Sequence, residues 1–520
     1  MPRRGDSLSY PVKRCLENET HSQQVNSADS GVRPALLDFG LPLADFGNTF
    51  MSSTVTSNQH SGLHRFAVLT AIATLGLLGA GGLVTSHGAG MAVPDWPNTY
   101  GYNMFFFPVS QWVGGIFYEH THRLAASGVG LLTIMLALWL YGRKARPFMR
   151  WAGLVLLLAG GATALALSRR WADGFVLGLT GSALLGASWA WQSSEPSAKW
   201  LRLLWLYGRK ARPFMRWAGL VLLLTGGATA LAVSRRWADG LVLGLTGLAL
   251  LGASQVWPRC EPGPKWLRWC GLAAVVAVIL QGVLGGLRVV LYKDALGVFH
   301  ATLAQLFFVL VCAIALFTSR WWQTSPVRTS PTINSQLSTL FLLTTLLILG
   351  QLALGATMRH QHAGLAIPDF PLAYGKLWPA MDAASVAHYN AQRMEITAVN
   401  SITAFQIGLQ MVHRLVALVI LGTVACAAWS ARRTLGGRNL LSRLALLWLG
   451  LIVTQGLLGA ATIWSNKAAD IATAHVLVGA LALAVGAMMS IITYREQVFG
   501  LRVTASPTRA PVAPLSMLEN

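Results

Sequence analysis

The amino-acid sequence predicts an all-α integral membrane protein, and three observations carry the prediction. Hydrophobic residues make up 54% of the 520 and charged residues only 11%, with a mean hydropathy of +0.52; a soluble chain of this length needs far more polar surface. Apolar runs long enough to cross a ~30 Å hydrocarbon core recur along the chain. Backbone groups in lipid must be satisfied internally, so these runs are read as helices.

Residues 1–62 are polar, lack a periodic apolar face and contain no signal-peptide core. They read as a disordered cytoplasmic tail, within which Met51 is a second candidate start. Spans follow near 64–85, 123–141, 151–168, 174–191, 217–234, 240–257, 267–287, 298–318, 337–358, 411–431, 444–463 and 472–493. That makes twelve, and 496–520 reads as a second tail.

The net charge of +21 does not signal nucleic acid. Its basic residues cluster in alternate loops, among them Arg143, Lys144, Arg146 and Arg150, then Arg209, Lys210, Arg212 and Arg216, then Arg432, Arg433, Arg438 and Arg443. This bias predicts that those loops and both termini face the cytoplasm, with contact to the lipid bilayer. The five cysteines, Cys15, Cys260, Cys270, Cys312 and Cys426, are scattered, and no disulfide is expected.

Two layers of repetition organise the chain. Residues 138–188 recur almost unchanged at 204–254, and each copy encodes a histidine-free pair of apolar segments, read as a peripheral hairpin. An older layer pairs "GGLVTSHGAGMAVPDWPNTYG" (81–101) with "GATMRHQHAGLAIPDFPLAYG" (355–375), and "VILQGVLGGLRV" (278–289) with "IVTQGLLGAATI" (452–463). A four-helix unit therefore occurs twice in parallel orientation, interrupted in its first copy by the duplicated hairpins at about 142–257.

The older repeat pairs His122 with His413 and His300 with His475. All four are expected in the first turn of their helices, near the outer face. An ionisable side chain inside a bilayer is costly, so four at matched depth ask for a shared reason. Facing imidazoles across a helical bundle are one way to hold two heme irons. Glu119 lies on the face of His122, whereas its repeat partner Gln410 is neutral, which places acid–base chemistry in the first unit. Arg123 and Arg414 follow two of the histidines and suit heme propionates or interfacial snorkelling. His64, His87, His120, His360, His362 and His388 are expected in loops or at interfaces, exposed to solvent. The "PDWP" and "PDFP" loops read as caps over the two sites, and 376–410 as a surface helix over the second. The residues by themselves admit three functions: an enzyme acting on heme, a di-heme b-type electron-transfer or quinol-oxidising subunit, and a proton-relaying transporter.

The "EHTHR" of 119–123, the "GGLVTSHGAGMAVPDWP" loop, "LQGVLGGLRV", "FHATLAQ", the second "HR" at 413–414 and "TAHVLVGA" together resemble the heme A synthase family. The resemblance covers about 62–495 outside the hairpins. It implies a membrane oxidoreductase of the cell inner membrane that oxidises the C8 methyl of heme O to the formyl group of heme A for aa3-type terminal oxidases, with heme b as cofactor. It implies His413 and His475 as heme b ligands in a C-terminal bundle, 337–495, and His122 and His300 as ligands of the substrate heme in an N-terminal bundle, 63–318. Glu119 matches the family's acidic residue. Expected partners are heme O and heme A, heme O synthase, oxidase assembly factors and an unidentified electron acceptor. Many bacterial members carry a cysteine pair in the first outer loop; this chain has none between Ser86 and Tyr118.

Overall fold

The computed structural model describes residues 57–166, 237–256, 262–324, 335–392 and 401–505. Among them the regular structure is helical, apart from two isolated bridges, Thr99–Tyr102 and Ala373–Lys376. The principal helices are α1 (Ser57–Ser86), α2 (Gly114–Tyr141), α3 (Ala145–Ala166), α4 (Trp237–Val256), α5 (Lys265–Leu291), α6 (Asp294–Thr318), α7 (Ser335–His360), α8 (Ala383–Ala391), α9 (Ala404–Leu435), α10 (Leu440–Trp464) and α11 (Ala469–Ala505). Among the described residues eight stretches are long and apolar enough to cross a membrane, with α2 and α3 counted as one. The protein is an all-α, multi-pass membrane protein.

The expectation of twelve spans is met only in part. Within the longest stretch the helix breaks at Gly142, whose φ of +52° is open to glycine, before α3 begins. Here α3 is the span expected near 151–168, and α4 is the one expected near 240–257, with an apolar stretch at Leu241–Gln255. The spans expected at 174–191 and 217–234, like the tail 1–56, lie outside the described residues. The final helix runs on to Ala505, into the stretch read as a tail.

Helices α1, α2, α5 and α6 form a closed ring in which each packs on two neighbours, and α7, α9, α10 and α11 form another. The rings meet through α1, α6, α7 and α11. Lipid tails remove the hydrophobic drive between helices, so close packing through small residues takes over. Gly82 of α1 lies against Thr473 of α11, and Gly486 of α11 against Trp448, whose indole donates to the Ala482 carbonyl at 2.8 Å. Hydroxyls of Thr74, Thr133, Thr345 and Thr493 return to carbonyls one turn back, so they need no water.

Outside the rings, α3 packs chiefly on α4, where Gly153 faces Gly247 so closely that a methyl group on Gly247 would stand 2.6 Å from the backbone of Leu157. The two helices come from different copies of the duplicated segment. In sequence, Gly247 repeats Gly181 of the first copy.

Candidate functional site

His122 lies on α2, His300 on α6, His413 on α9 and His475 on α11. In each ring these are the two helices that sit diagonally opposite. The helices begin earlier than the sequence suggests, at Gly114, Asp294, Ala404 and Ala469. The histidines therefore lie not in the first turn but roughly 9–14 Å along the helix, at 1.5 Å per residue. The earlier starts come from residues before the expected spans that continue the helix; in α9 they include the buried Ile407.

Each imidazole rests on a glycine of a neighbouring helix. A methyl group built on Gly81 would stand 3.1 Å from Cε1 of His122, one on Gly285 3.3 Å from that of His300, one on Gly355 3.3 Å from that of His413, and one on Gly459 3.2 Å from that of His475. All four Nδ1 atoms are buried without a hydrogen-bond partner. His122 and His300 interact electrostatically, and so do His413 and His475, so each ring holds one pair.

Glutamines brace the turns that carry these rings. Gln281 donates to the His300 carbonyl at 2.9 Å, Gln351 donates to that of His413 at 2.8 Å, and Gln455 lies 3.4 Å from Nε2 of His475. Gly285 and Gly459, with two of these glutamines, sit inside the repeated "QGVLGG" and "QGLLGA" strings, and Gly81 and Gly355 open the other repeated pair. Their signal was visible in the sequence, but only as repetition.

Above each pair lies a loop held by the same set of bonds. Asp95 accepts from the amides of Tyr100 and Gly101, both at 2.8 Å; Asp369 accepts from Tyr374 at 2.7 Å and Gly375 at 2.8 Å. Tyr100 and Tyr374 have φ of +49° and +53°, a conformation that persists in a non-glycine residue when its surroundings over-determine it. Trp96–Pro97 and Phe370–Pro371 are both cis. The nine-residue α8 packs on the second loop, with Tyr389 stacked 3.7 Å from Tyr374.

The charged residues singled out by sequence sit beneath these loops. Glu119 is buried, accepts from the Val93 amide at 2.9 Å and pairs with Arg123 at 2.6 Å. Gln410 accepts from the Ile367 amide at 2.7 Å, so the neutral residue does the same bracing. Arg123 donates to the carbonyls of Val93, Asp95 and Asn98, and Arg414 to those of Asp369 and Leu372. The sequence offered these arginines to heme propionates or to interfacial snorkelling; here they reach loop carbonyls.

Among the weaker candidates, His87, His362 and His388 are exposed as expected. His120 is not. It is fully buried between Phe107 and Trp112, at ring distances of 5.1 and 4.6 Å, and its Nδ1 lies 3.2 Å from the Thr99 hydroxyl. The loop folds back over α2, which a reading confined to local sequence cannot see. His360 packs on Gly297, three residues before His300.

Residues 233–487 match the family described as cytochrome oxidase assembly protein. That stretch contains His300, His413 and His475. A curated protein named heme A synthase, from Shouchella clausii (strain KSM-K16), is 27% identical over 302 residues, covering 50% of this chain and 99% of the relative. Both comparisons support the heme A synthase family. Half of the chain has no counterpart in that relative.

Proposed function

We propose that the protein is a membrane oxidoreductase that converts heme O to heme A by oxidising the C8 methyl to a formyl group, for aa3-type terminal oxidases. The observation that carries the reading is the pair of imidazoles in each four-helix ring, each seated on a glycine. Among the described residues no group of three or more His, Cys, Asp or Glu is placed to hold a metal ion. A bare zinc-type ion calls for three or four protein ligands. An iron already held by porphyrin nitrogens calls for two axial ones, which is what each ring offers.

In this reading His413 and His475 hold heme b, and His122 and His300 receive the heme substrate. The bound iron porphyrin supplies one-electron transfer. The glycine seats fix the imidazole planes, and the loops over both pairs keep water from the iron-facing edges. Arg123 and Arg414 serve the sites at one remove, by fixing those loops. Glu119 lies three residues before His122 on the same helix; its charge, absent at Gln410, stabilises positive charge developing at the oxidised carbon or takes up the proton released there.

The wider reading has twelve spans arranged as two parallel repeats, both termini in the cytoplasm and the chain in the cell inner membrane. Heme O arrives from its synthase, and electrons leave to an acceptor outside this chain. The bonds shared by the two cap loops support the repeat. The test is co-expression in a strain that makes heme O, followed by heme extraction and chromatography. Heme A or its hydroxylated precursor is expected; unchanged heme O on heme-loaded protein would reject the assignment.

A further inference from the structure

The segment that leads into α2 is apolar on its outward side. From Trp96 to Tyr118 the chain carries no acidic or basic residue. Two short 3-10 turns, Met104–Phe106 and Val109–Gln111, fold it back over the first ring, so that Phe107 and Trp112 enclose His120. The other side turns outward: Val109 is 75% exposed and Val113 63%, and Phe105 and Phe117 are about half exposed. A surface of this kind is costly in water, where a loop between spans ordinarily offers polar side chains. The exposed polar residues between Phe105 and Phe117, Ser110 and Gln111, are uncharged. The charges at the borders turn inward: Asp95 closes its own loop, and Glu119 pairs with Arg123.

Two further observations point to lipid as the occupant of that side. The main-chain donors are met from within: the amides of Phe106, Gln111, Trp112, Val113 and Ile116 each reach a carbonyl two or three residues back, the Phe105 amide reaches the Asn103 side chain, and the Trp112 indole donates to the Phe107 carbonyl at 3.3 Å. Internal satisfaction is what lipid demands of a backbone and what water makes unnecessary. Phe117 also shares the exposed face of α2 with Leu131 and Met135, whole turns further along the span, so the outward surface of the segment continues into that of the span. The second cap is built otherwise. Its exposed Leu377 and Trp378 follow Lys376, and α8 beyond them exposes its N-cap Asp382 and His388.

We propose that residues 104–117 lie in the lipid interface at the cap end of the bundle, with Phe105, Val109, Val113 and Phe117 against the acyl chains. Aromatic residues settle where lipid meets water, and an element with one side on protein needs only the bilayer for the other. The cap of the first ring is then immersed, and the cap of the second faces water. On the heme-binding reading above, the site that takes the lipophilic substrate borders lipid; the placement of the segment stands without that reading.

The test places a nitroxide at Val109→Cys and at Val113→Cys in the full-length protein, its own cysteines replaced by alanine, in phosphatidylcholine vesicles. The exposed positions Leu131→Cys on the span and Ala387→Cys on α8 are the references. Electron paramagnetic resonance compares collisions with lipid-soluble oxygen and with a water-soluble nickel chelate. The labels at 109 and 113 are expected to favour oxygen, as at 131, while the label at 387 favours nickel. Labels at 109 and 113 that favour nickel overturn the proposal; so does shielding from both reagents, which would assign the surface to a protein contact. The wild-type chain gives a second readout that needs no substitution: a lipid-soluble carbene probe should mark 104–117 and spare α8. Protein marked on α2 beyond Leu131 but unmarked over 104–117 would overturn the proposal as well, whatever its heme content.

Discussion

His122 rests on the backbone of Gly81, so closely that a methyl group there would stand 3.1 Å from the imidazole. The same seat recurs under His413 at Gly355. Gly355→Val should push the ring off its axis. Overpacking of this kind costs about 1–3 kcal/mol, equivalent to a five- to hundredfold loss of heme b affinity. Gly422→Ala, where nothing lies within 4 Å, is the control and should bind heme as wild type does. Soret titration of both variants checks this; equal affinities would show that the seat is not needed.

Glu119 both braces a loop and carries a charge, and Gln410 shows that an amide can do the bracing alone. Glu119→Gln is therefore expected to keep heme content and thermal stability while conversion falls by about 10²–10⁴-fold, the range of an acid–base contribution. Glu119→Ala should lose loop order as well. Single-turnover heme analysis of the two variants separates the roles. If Glu119→Gln turns over at the wild-type rate, the residue is a loop brace and nothing more.

Asp369 closes the second loop through two amides, and Arg414 ties that loop's carbonyls to α9. Asp369→Asn leaves one amide without its acceptor, at about 1–3 kcal/mol. The expected result is a shifted heme b spectrum with the first-ring heme unchanged. Asp95→Asn should do the reverse. Visible spectra of the two variants, each changed in one component only, check the assignment of one loop to one site.

Gly247 keeps α3 and α4 in contact. Gly247→Leu should lower the melting temperature of the detergent-solubilised protein, yet leave the heme spectrum and turnover unchanged, because this pair lies outside both rings. A lost heme signal would show that the duplicated segment reaches the sites.

The fold class was legible because lipid forces it: long apolar runs with few charges admit little but helix. The four histidines and the two proline loops were legible because they occur twice. The helix starts were not: glutamines interrupt 404–412 although Ile407 and Met411 are buried there, and Glu119 and His120 interrupt 114–121. The burial of His120 depends on Phe107 and Trp112 folding back from the loop, a contact with no local pattern. The contacts of Arg123 and Arg414 with loop carbonyls were not legible, because those partners lie 25 to 45 residues away in the chain. The pairing of α3 with α4 was hidden by the near-identity of the two copies in sequence.

The claim on which the rest depends is that each ring grips one iron between two imidazoles. Heme iron per polypeptide, measured with the low-spin signal by electron paramagnetic resonance, tests it directly in wild type and in the His413→Ala, His475→Ala variant. The account predicts two low-spin hemes in the fully loaded protein and, in the variant, loss of the heme b signal with the first-ring heme retained. Two hemes with unchanged low-spin signals in the variant, or a wild type that stays colourless after reconstitution, would contradict it.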